Sequence, residues 1–346
     1  MDIAALVETA RAPLSRADTE TLFHAIFRGE LNDEQIVAYL SATADRKPVV
    51  EELVGAITAM RAHMRAIEAP PGAIDLCGTG GDGLGTLNIS TAVSFVVAAS
   101  GVPVAKHGNR SATSRSGAAD VLEAIGVKVG LEPEAAARVL RETGIVFLFA
   151  PTHHPAMRHV GAARKTIGRR TIFNLLGPLA NPAQVERQLI GVFSADWLEP
   201  YAQALRLLGS SHARIVHGRD GLDEVSISDV TQVAMLDNGT ITTGEIAPER
   251  AGLPRSPLAA IVGGDAAHNA AALRRLFDGE AGPYRDIVCL NAAAALMVAG
   301  AASDIKAGVE IAAQALSSGA ARGKLNDLIA ASNDTASNSE AVGPEK

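Results

Sequence analysis

Four short stretches of this 346-residue chain bring together residue types that could do chemistry on a phosphorylated ligand. The first is Gly78-Thr79-Gly80-Gly81-Asp82-Gly83, directly after the strand-like Ile74–Cys77. Glycines leave the backbone bare and reach dihedrals that other residues avoid, so their amides can approach phosphate oxygens closely. Asn88-Ile89-Ser90-Thr91 follows and opens an apolar helix; Asn88 is a good cap, and the free amides of a helix start attract anions. A strand, a glycine loop and a capped helix, in that order, are the local architecture of a phosphate site at the carboxyl end of a strand. The loop lacks the Gly-Lys-Ser/Thr of a Walker loop and the usual dinucleotide fingerprint. Taken alone, it reads equally as a turn-rich connection with no ligand.

The second stretch, Lys106-His107-Gly108-Asn109-Arg110-Ser111, again follows a strand-like run, Val102–Ala105. Lys106 and Arg110 supply positive charge. Asn109 offers both donor and acceptor. Ala112 contributes only its backbone, but Ser111, Thr113, Ser114 and Ser116 carry small hydroxyls that can wrap phosphate oxygens. A solvated basic loop is the plain alternative, weakened because two strand ends carry complementary anion-binding chemistry. The third stretch ends in the adjacent carboxylates Asp223 and Glu224, within His217-Gly218-Arg219-Asp220-Gly221-Leu222-Asp223-Glu224. Magnesium is usually held by one or two carboxylates with phosphate and water, so this pair suffices; an acidic turn in water is the alternative. The fourth element is Arg164, whose fork matches an aromatic carboxylate but which could equally lie on a solvated basic helix face. His153 and His154, followed by Pro155, read as a local hydrogen-bonding feature rather than metal ligands.

The elements that must position these residues change character along the chain. Residues 1–70 read as helical: one segment capped by Ala17-Asp18 through Leu22, Ile26 and Phe27, a second from Asn32-Asp33-Glu34, a third from Val49 to about Arg65. Pro70-Pro71-Gly72 ends this region. Residues 71–331 alternate short apolar runs (Ile74–Cys77, Val102–Lys106, Gln188–Phe193, Ala213–His217, Val233–Leu236) with helical periods, which predicts a mainly parallel sheet in an α/β domain. The stretch from about 151 to 182 does not alternate, and part of 160–185 is expected to return to the helical domain. Residues 332–346 are Ser/Asn/Asp/Glu-rich and predicted disordered. The cysteines, Cys77 and Cys289, sit in apolar runs and read as buried thiols in strands.

Composition narrows the partners. A net charge of -7 and 3% aromatics exclude a phosphate-backbone or single-strand nucleic-acid binder. No apolar stretch of about 20 residues suggests a membrane span, and no basic n-region suggests a signal peptide. The reading is a cytoplasmic protein.

Taken jointly and in order, these motifs resemble the anthranilate phosphoribosyltransferase family over roughly residues 1–330. Thr171-Ile172-Phe173-Asn174-Leu175-Leu176-Gly177-Pro178-Leu179-Ala180-Asn181-Pro182 is a further family signature. The resemblance implies transfer of the phosphoribosyl group of phosphoribosyl pyrophosphate (PRPP) to the amine of anthranilate, in tryptophan biosynthesis. It implies a small helical domain, a large α/β domain with the site in the cleft between them, and a homodimer joined through the helical domains. Association with anthranilate synthase stays open. By resemblance Gly78, Gly81, Asp82, Thr86 and Asn88–Thr91 (Ile89 and Ser90 included) cradle PRPP, and Lys106 with the loop from His107 and Gly108 through Arg110 to Ser114 binds its phosphates. Ser90 and Glu224 hold one Mg2+, Asp223 and Glu224 a second. Asn109 and Arg164 meet anthranilate beside Gly78, with His107, Gly177 and Pro178 nearby; Lys106, Asn109 and Arg164 are the candidate catalytic residues. One departure is Ala118, where members often carry serine or glycine, so any PRPP contact there rests on its backbone. A nucleoside phosphorylase of the same fold is disfavoured by Asp223-Glu224, and a nucleic-acid-binding relative by the charge and the complete motifs.

Overall fold

The computed structural model describes residues 3–111 and 115–334. Its first part is a bundle of α1 (Ile3–Thr9), α2 (Arg16–Arg28), α3 (Asp33–Arg46) and α4 (Val50–Ala62). The cap of α2 is Ser15 rather than Ala17-Asp18, its side chain accepting from the Asp18 amide at 3.1 Å. Asn32 starts α3 with a reciprocal capping box to Gln35. Leu22, Phe23, Ile26, Tyr39, Leu53 and Ile57 are fully buried between the helices.

After Pro71 come β1 (Ile74–Gly78), α5 (Ile89–Ala99), β2 (Val104–Gly108), α6 (Ala118–Ile125), α7 (Pro133–Thr143) and β3 (Ile145–Phe149). Then α8 (Ala150–His153), α9 (Gly161–Ile167) and α10 (Phe173–Leu176) cross back: Val160, Ala163, Ile172, Phe173 and Leu176 join the bundle's core. The chain returns through β4 (Arg187–Gly191), α11 (Leu198–Leu207), β5 (His212–Gly218), β6 (Thr231–Asp237) and β7 (Thr240–Ile246). It closes with α12 (Ala266–Phe277), α13 (Pro283–Ala299), α14 (Ile305–Ser317) and α15 (Ala320–Asn333).

The sheet order is β3-β2-β1-β4-β5-β6-β7. Pairs from β3 to β5 are parallel, while β5–β6 and β6–β7 are antiparallel. The α/β fold with a mainly parallel sheet is therefore as predicted, with an antiparallel edge. β7 was absent from the strand pattern because its sequence, TITTGEI, has two apolar side chains and lies on the exposed edge; its hairpin turn, Asn238-Gly239, has positive φ at both residues. One sheet face packs on α5 and α13; the other, through Ile190, Val192, Ile215 and Ala234, continues into the core of the helical bundle.

Two expectations are corrected. Cys289 lies on α13, whose wholly apolar run Ile287–Leu290 is a buried helix; short apolar runs do not distinguish the two. Cys77 is on β1 and half-buried. The start of the predicted disordered tail is corrected, because Ser332 is buried on α15 and accepts from the Lys128 amide at 3.1 Å, while residues 335–346 lie outside the described residues. Among the described residues no helix is long and apolar enough to cross a membrane.

Candidate active site

Chain order reverses between β1 and β4: β2 and β3 extend the sheet one way, β4 and β5 the other. Ligands of open α/β sheets bind outside the carboxyl ends of strands at such a switch point. Here those ends are Gly78 and Gly191, paired in register, and the acidic loop after β5 folds across them. A side chain at Gly191 would collide with the Asp223 carbonyl, and a Cβ on Gly78 would sit 2.9 Å from the Asp223 carboxylate. Both positions must be bare for the acidic pair to reach the glycine loop.

That contact is direct. Asp223 Oδ2 accepts from the Gly80 amide at 2.9 Å, and Glu224 Oε1 accepts from the Ser90 amide at 3.1 Å in the first turn of α5. Positive φ at Gly80, Gly81, Gly83 and Gly85 shapes the loop between. Its far end is held by Ile261–Gly263, where the Leu87 amide donates to Ile261 at 2.9 Å and the Gly263 amide to Gly85 at 2.8 Å. Thr86 forms a β-bridge to Val262. Asn88 is fixed by Asn269, which donates to its Oδ1 at 2.8 Å.

Asp223 and Glu224 lie deep but are only half-buried. Burial, then the nearby Asp82 and Glu224, holds the Asp223 carboxyl well above the usual range. Burial also raises Glu224 to about 7, opposed by Lys106. Desolvated carboxylates crowded this way resist ionising together, and a divalent cation relieves that cost. No three His, Cys, Asp or Glu side chains among the described residues form a full metal cage. Magnesium does not need one, since it keeps waters and takes substrate phosphate oxygens. The donor set fits that ion, and Ser90 Oγ stands alongside through its contact with Lys106.

Lys106 belongs to β2 rather than to the loop after it, and is only 4% exposed. Its Nζ donates to the Leu76 carbonyl and to Ser90 Oγ at 3.2 Å, so its charge stands among Glu224, Ser90 and the buried Asp75. Asp75 accepts from the His107 amide at 3.0 Å; burial raises its pKa and Lys106 opposes the rise. Gly108 ends β2 with the Phe147 ring packed against it.

The remaining candidates divide. Ile89 and Thr91 are buried, so only their backbone can serve a ligand. Asn109 is exposed, with Oδ1 accepting from the Arg110 amide at 2.7 Å. Arg110 turns to α6, pairing with Asp120 at 2.9 Å and Glu123 at 2.6 Å, which occupies its guanidinium in this conformation. The Ser111 amide approaches the Asp120 carboxylate at 3.3 Å. Ala118, half-buried, is the first residue of α6. Ala112, Thr113 and Ser114 lie outside the described residues. Arg164, half-buried on α9, lies 5.6 Å from the centre of the Phe173 ring and has no carboxylate partner among the described residues. Burial lowers its pKa, and an anion would restore the lost solvation. His153 Nδ1 lies 2.7 Å from the Arg65 carbonyl, 88 residues away in sequence, so the bond is a tertiary one and not the local feature expected of the pair. His107 Nδ1 lies 3.1 Å from the Gly177 carbonyl, and its ring lies 5.2 Å from that of His154.

Comparisons with known proteins bear on this geometry. Residues 3–64 match the helical bundle domain of a glycosyl transferase family, and residues 70–322 its α/β domain. The chain is 55% identical over 322 residues to an anthranilate phosphoribosyltransferase of Bradyrhizobium sp. (strain ORS 278), covering 93% of this chain and 96% of the relative. The chain belongs to the anthranilate phosphoribosyltransferase family. Its fold is similar to the crystal structure of that enzyme from Thermus thermophilus (TM-score 0.91, 40% identity, 96% of this chain and 99% of the other). It is also similar to the Saccharomyces cerevisiae enzyme in complex with PRPP and Mg (TM-score 0.87, 27% identity, 95% and 97% covered). A further structure of the yeast enzyme holds 4-fluoroanthranilate.

Sequence reasoning missed several residues that shape this candidate site. Asp75 carried a signal, being the one charge in an apolar strand. Asn291, the one polar residue in the run Ile287–Leu296, carried another. Gly191, Asn269 and Arg170 carried none, since their roles come from distant segments meeting.

Proposed function

We propose that this chain transfers the phosphoribosyl group of PRPP to the amine of anthranilate, giving N-(5-phosphoribosyl)anthranilate and pyrophosphate, as a step of tryptophan biosynthesis. The observation that carries the reading is the meeting of Asp223 and Glu224 with the Gly80 and Ser90 amides at the sheet's switch point. Carboxylates for a cation thereby stand against the glycine loop, whose remaining amides can take phosphate.

The amine of anthranilate is a weak nucleophile, so the leaving group departs early and the ribosyl ring gains positive charge in a loose transition state. The chain's main task is to stabilise the departing pyrophosphate. Gly78, Gly81, Asp82, Thr86, Asn88 and the first amides of α5 cradle PRPP, and Lys106 supplies buried positive charge beside them. Ser90, Asp223 and Glu224 would hold magnesium as two ions, which would supply positive charge to offset that of the leaving diphosphate. Arg164 and Asn109 place the amine at the open face of the ribose. Arg164 supports this reading because its guanidinium stands without a carboxylate partner among the described residues. No side chain is required as general base, since an anilinium proton is acidic enough to pass to water. The same reading carries with it a cytoplasmic homodimer joined through the helical domains.

Anthranilate fluorescence, followed on adding protein, PRPP and Mg2+ and repeated without the metal, tests it. A loss that needs both PRPP and Mg2+ is expected. No loss despite intact PRPP binding would move the assignment to another acceptor base.

A further inference from the structure

Arg170 stands where the segment returning to the helical bundle passes the glycine loop. Its guanidinium donates to the Gly81 carbonyl and lies against the Phe193 ring, 4.1 Å from its centre. It is exposed and has no carboxylate partner among the described residues. Phe193 is itself tied to the loop, its amide donating to Thr79 Oγ1 at 3.1 Å. The neighbour Arg169 faces the other way and grips α3, donating to Asp45 at 2.7 Å and to the Ser41 carbonyl at 3.3 Å. Two adjacent arginines thus strap the helical bundle to the loop, 89 residues away in sequence.

We propose that Arg170 is a positioning residue that fixes the Gly81–Asp82 peptide for PRPP. The argument is geometric. In a trans peptide the carbonyl and the following N–H point in opposite directions. Holding the Gly81 carbonyl on the guanidinium therefore turns the Asp82 amide away from Arg170 and sets where the Asp82 side chain departs. Gly80 and Gly81 both have positive φ, and glycine backbones have many accessible alternatives, so the loop needs an external hold to keep one. A stacked guanidinium is a good hold: the Phe193 face keeps it oriented while its N–H groups point at the carbonyl. This inference rests on the reading that the glycine loop receives PRPP.

The test compares Arg170→Ala, Arg170→Lys, Phe193→Leu and Gly80→Ala by steady-state kinetics and thermal unfolding. Arg170→Ala is expected to raise KM for PRPP about tenfold, the loss of one charge-assisted hydrogen bond, with little change in kcat, in KM for anthranilate or in Tm. Arg170→Lys restores part of the affinity, and Phe193→Leu, which keeps the arginine but removes its platform, raises the same KM to a lesser extent. An unchanged KM for PRPP in Arg170→Ala, with a raised one in Gly80→Ala, overturns the positioning role alone. An unchanged KM in Gly80→Ala overturns the loop assignment beneath it. Raised KM in both arginine variants with none in Phe193→Leu would make Arg170 a direct ligand and also overturn the proposal.

Discussion

Asn291 on α13 exchanges two hydrogen bonds with the backbone of Val225, the residue after Glu224: the Val225 amide donates to Oδ1 at 2.8 Å, and Nδ2 donates to the Val225 carbonyl at 2.8 Å. The side chain is fully buried and also donates to the Ile287 carbonyl at 2.9 Å. A helix on one face of the sheet thereby sets the depth of the acidic loop.

Replacing Asn291 by alanine leaves a buried amide and a buried carbonyl without partners. Each costs about 1–3 kcal/mol, so a loss on the order of 3 kcal/mol is expected in urea unfolding. The Mg2+ concentration for half-maximal activity should also rise several-fold. A variant that is less stable but keeps its normal Mg2+ requirement would show that the loop holds its own shape.

The acidic pair makes a pH prediction. Metal binding needs the ionised carboxylate, and Glu224 has a pKa of about 7 before a cation arrives. Protons on Glu224 therefore compete below about pH 7 and cease to compete above it. The half-maximal Mg2+ concentration should rise as pH falls from about 8 to about 6, by up to about tenfold per unit once below the pKa. Glu224→Gln should need more Mg2+ at every pH and lose this part of the slope. A requirement flat across that range would contradict the assignment.

His154 makes a prediction about stability. It is 3% exposed, and among the described residues neither ring nitrogen makes a hydrogen bond of good geometry, the Ala180 backbone offering only a weak contact. Burial lowers its pKa from 6.5 to about 4. Because the folded value lies below the unfolded one, the unfolded chain binds the extra proton first. The stabilisation is complete above about pH 6.5 and is lost as pH falls towards about 4, up to roughly 3 kcal/mol in all. His107 and His153 shift the same way, also through burial. Urea unfolding at about pH 7.5 and about pH 5 should show a smaller drop in His154→Leu than in the parent; equal drops would sink the claim.

Arg164 is expected to act on one substrate only. Arg164→Ala should raise KM for anthranilate about 10- to 100-fold, the range of a charge-assisted hydrogen bond, while KM for PRPP stays put. Lysine should not restore it, because a point charge cannot match two carboxylate oxygens. A shift confined to PRPP would place the arginine elsewhere.

Lys106→Met keeps the volume and removes the charge. Turnover should fall about 100- to 1,000-fold if that charge stabilises the departing pyrophosphate. Undiminished turnover would end that role.

Much of the site was legible in the sequence because it is local. Gly78–Gly83, Asn88–Thr91, Lys106–Ser111 and Asp223-Glu224 each lie at a strand end or in the loop it opens, and announce their chemistry by residue type and order. The helical start, the change of texture at Pro70-Pro71-Gly72 and the mainly parallel sheet followed from periodicity in the same way. Only the tertiary structure could decide what meets what. Lys106 reads as a phosphate-loop lysine, yet strand pairing buries it beside Asp75, Ser90 and Glu224. Arg110 reads as a ligand for phosphate, yet α6 brings Asp120 and Glu123 against it. Asn291 and Arg170 lie 66 and 89 residues from the backbone groups they hold. Residue type and spacing report chemistry along the chain, whereas burial and partnership depend on packing between segments far apart in sequence.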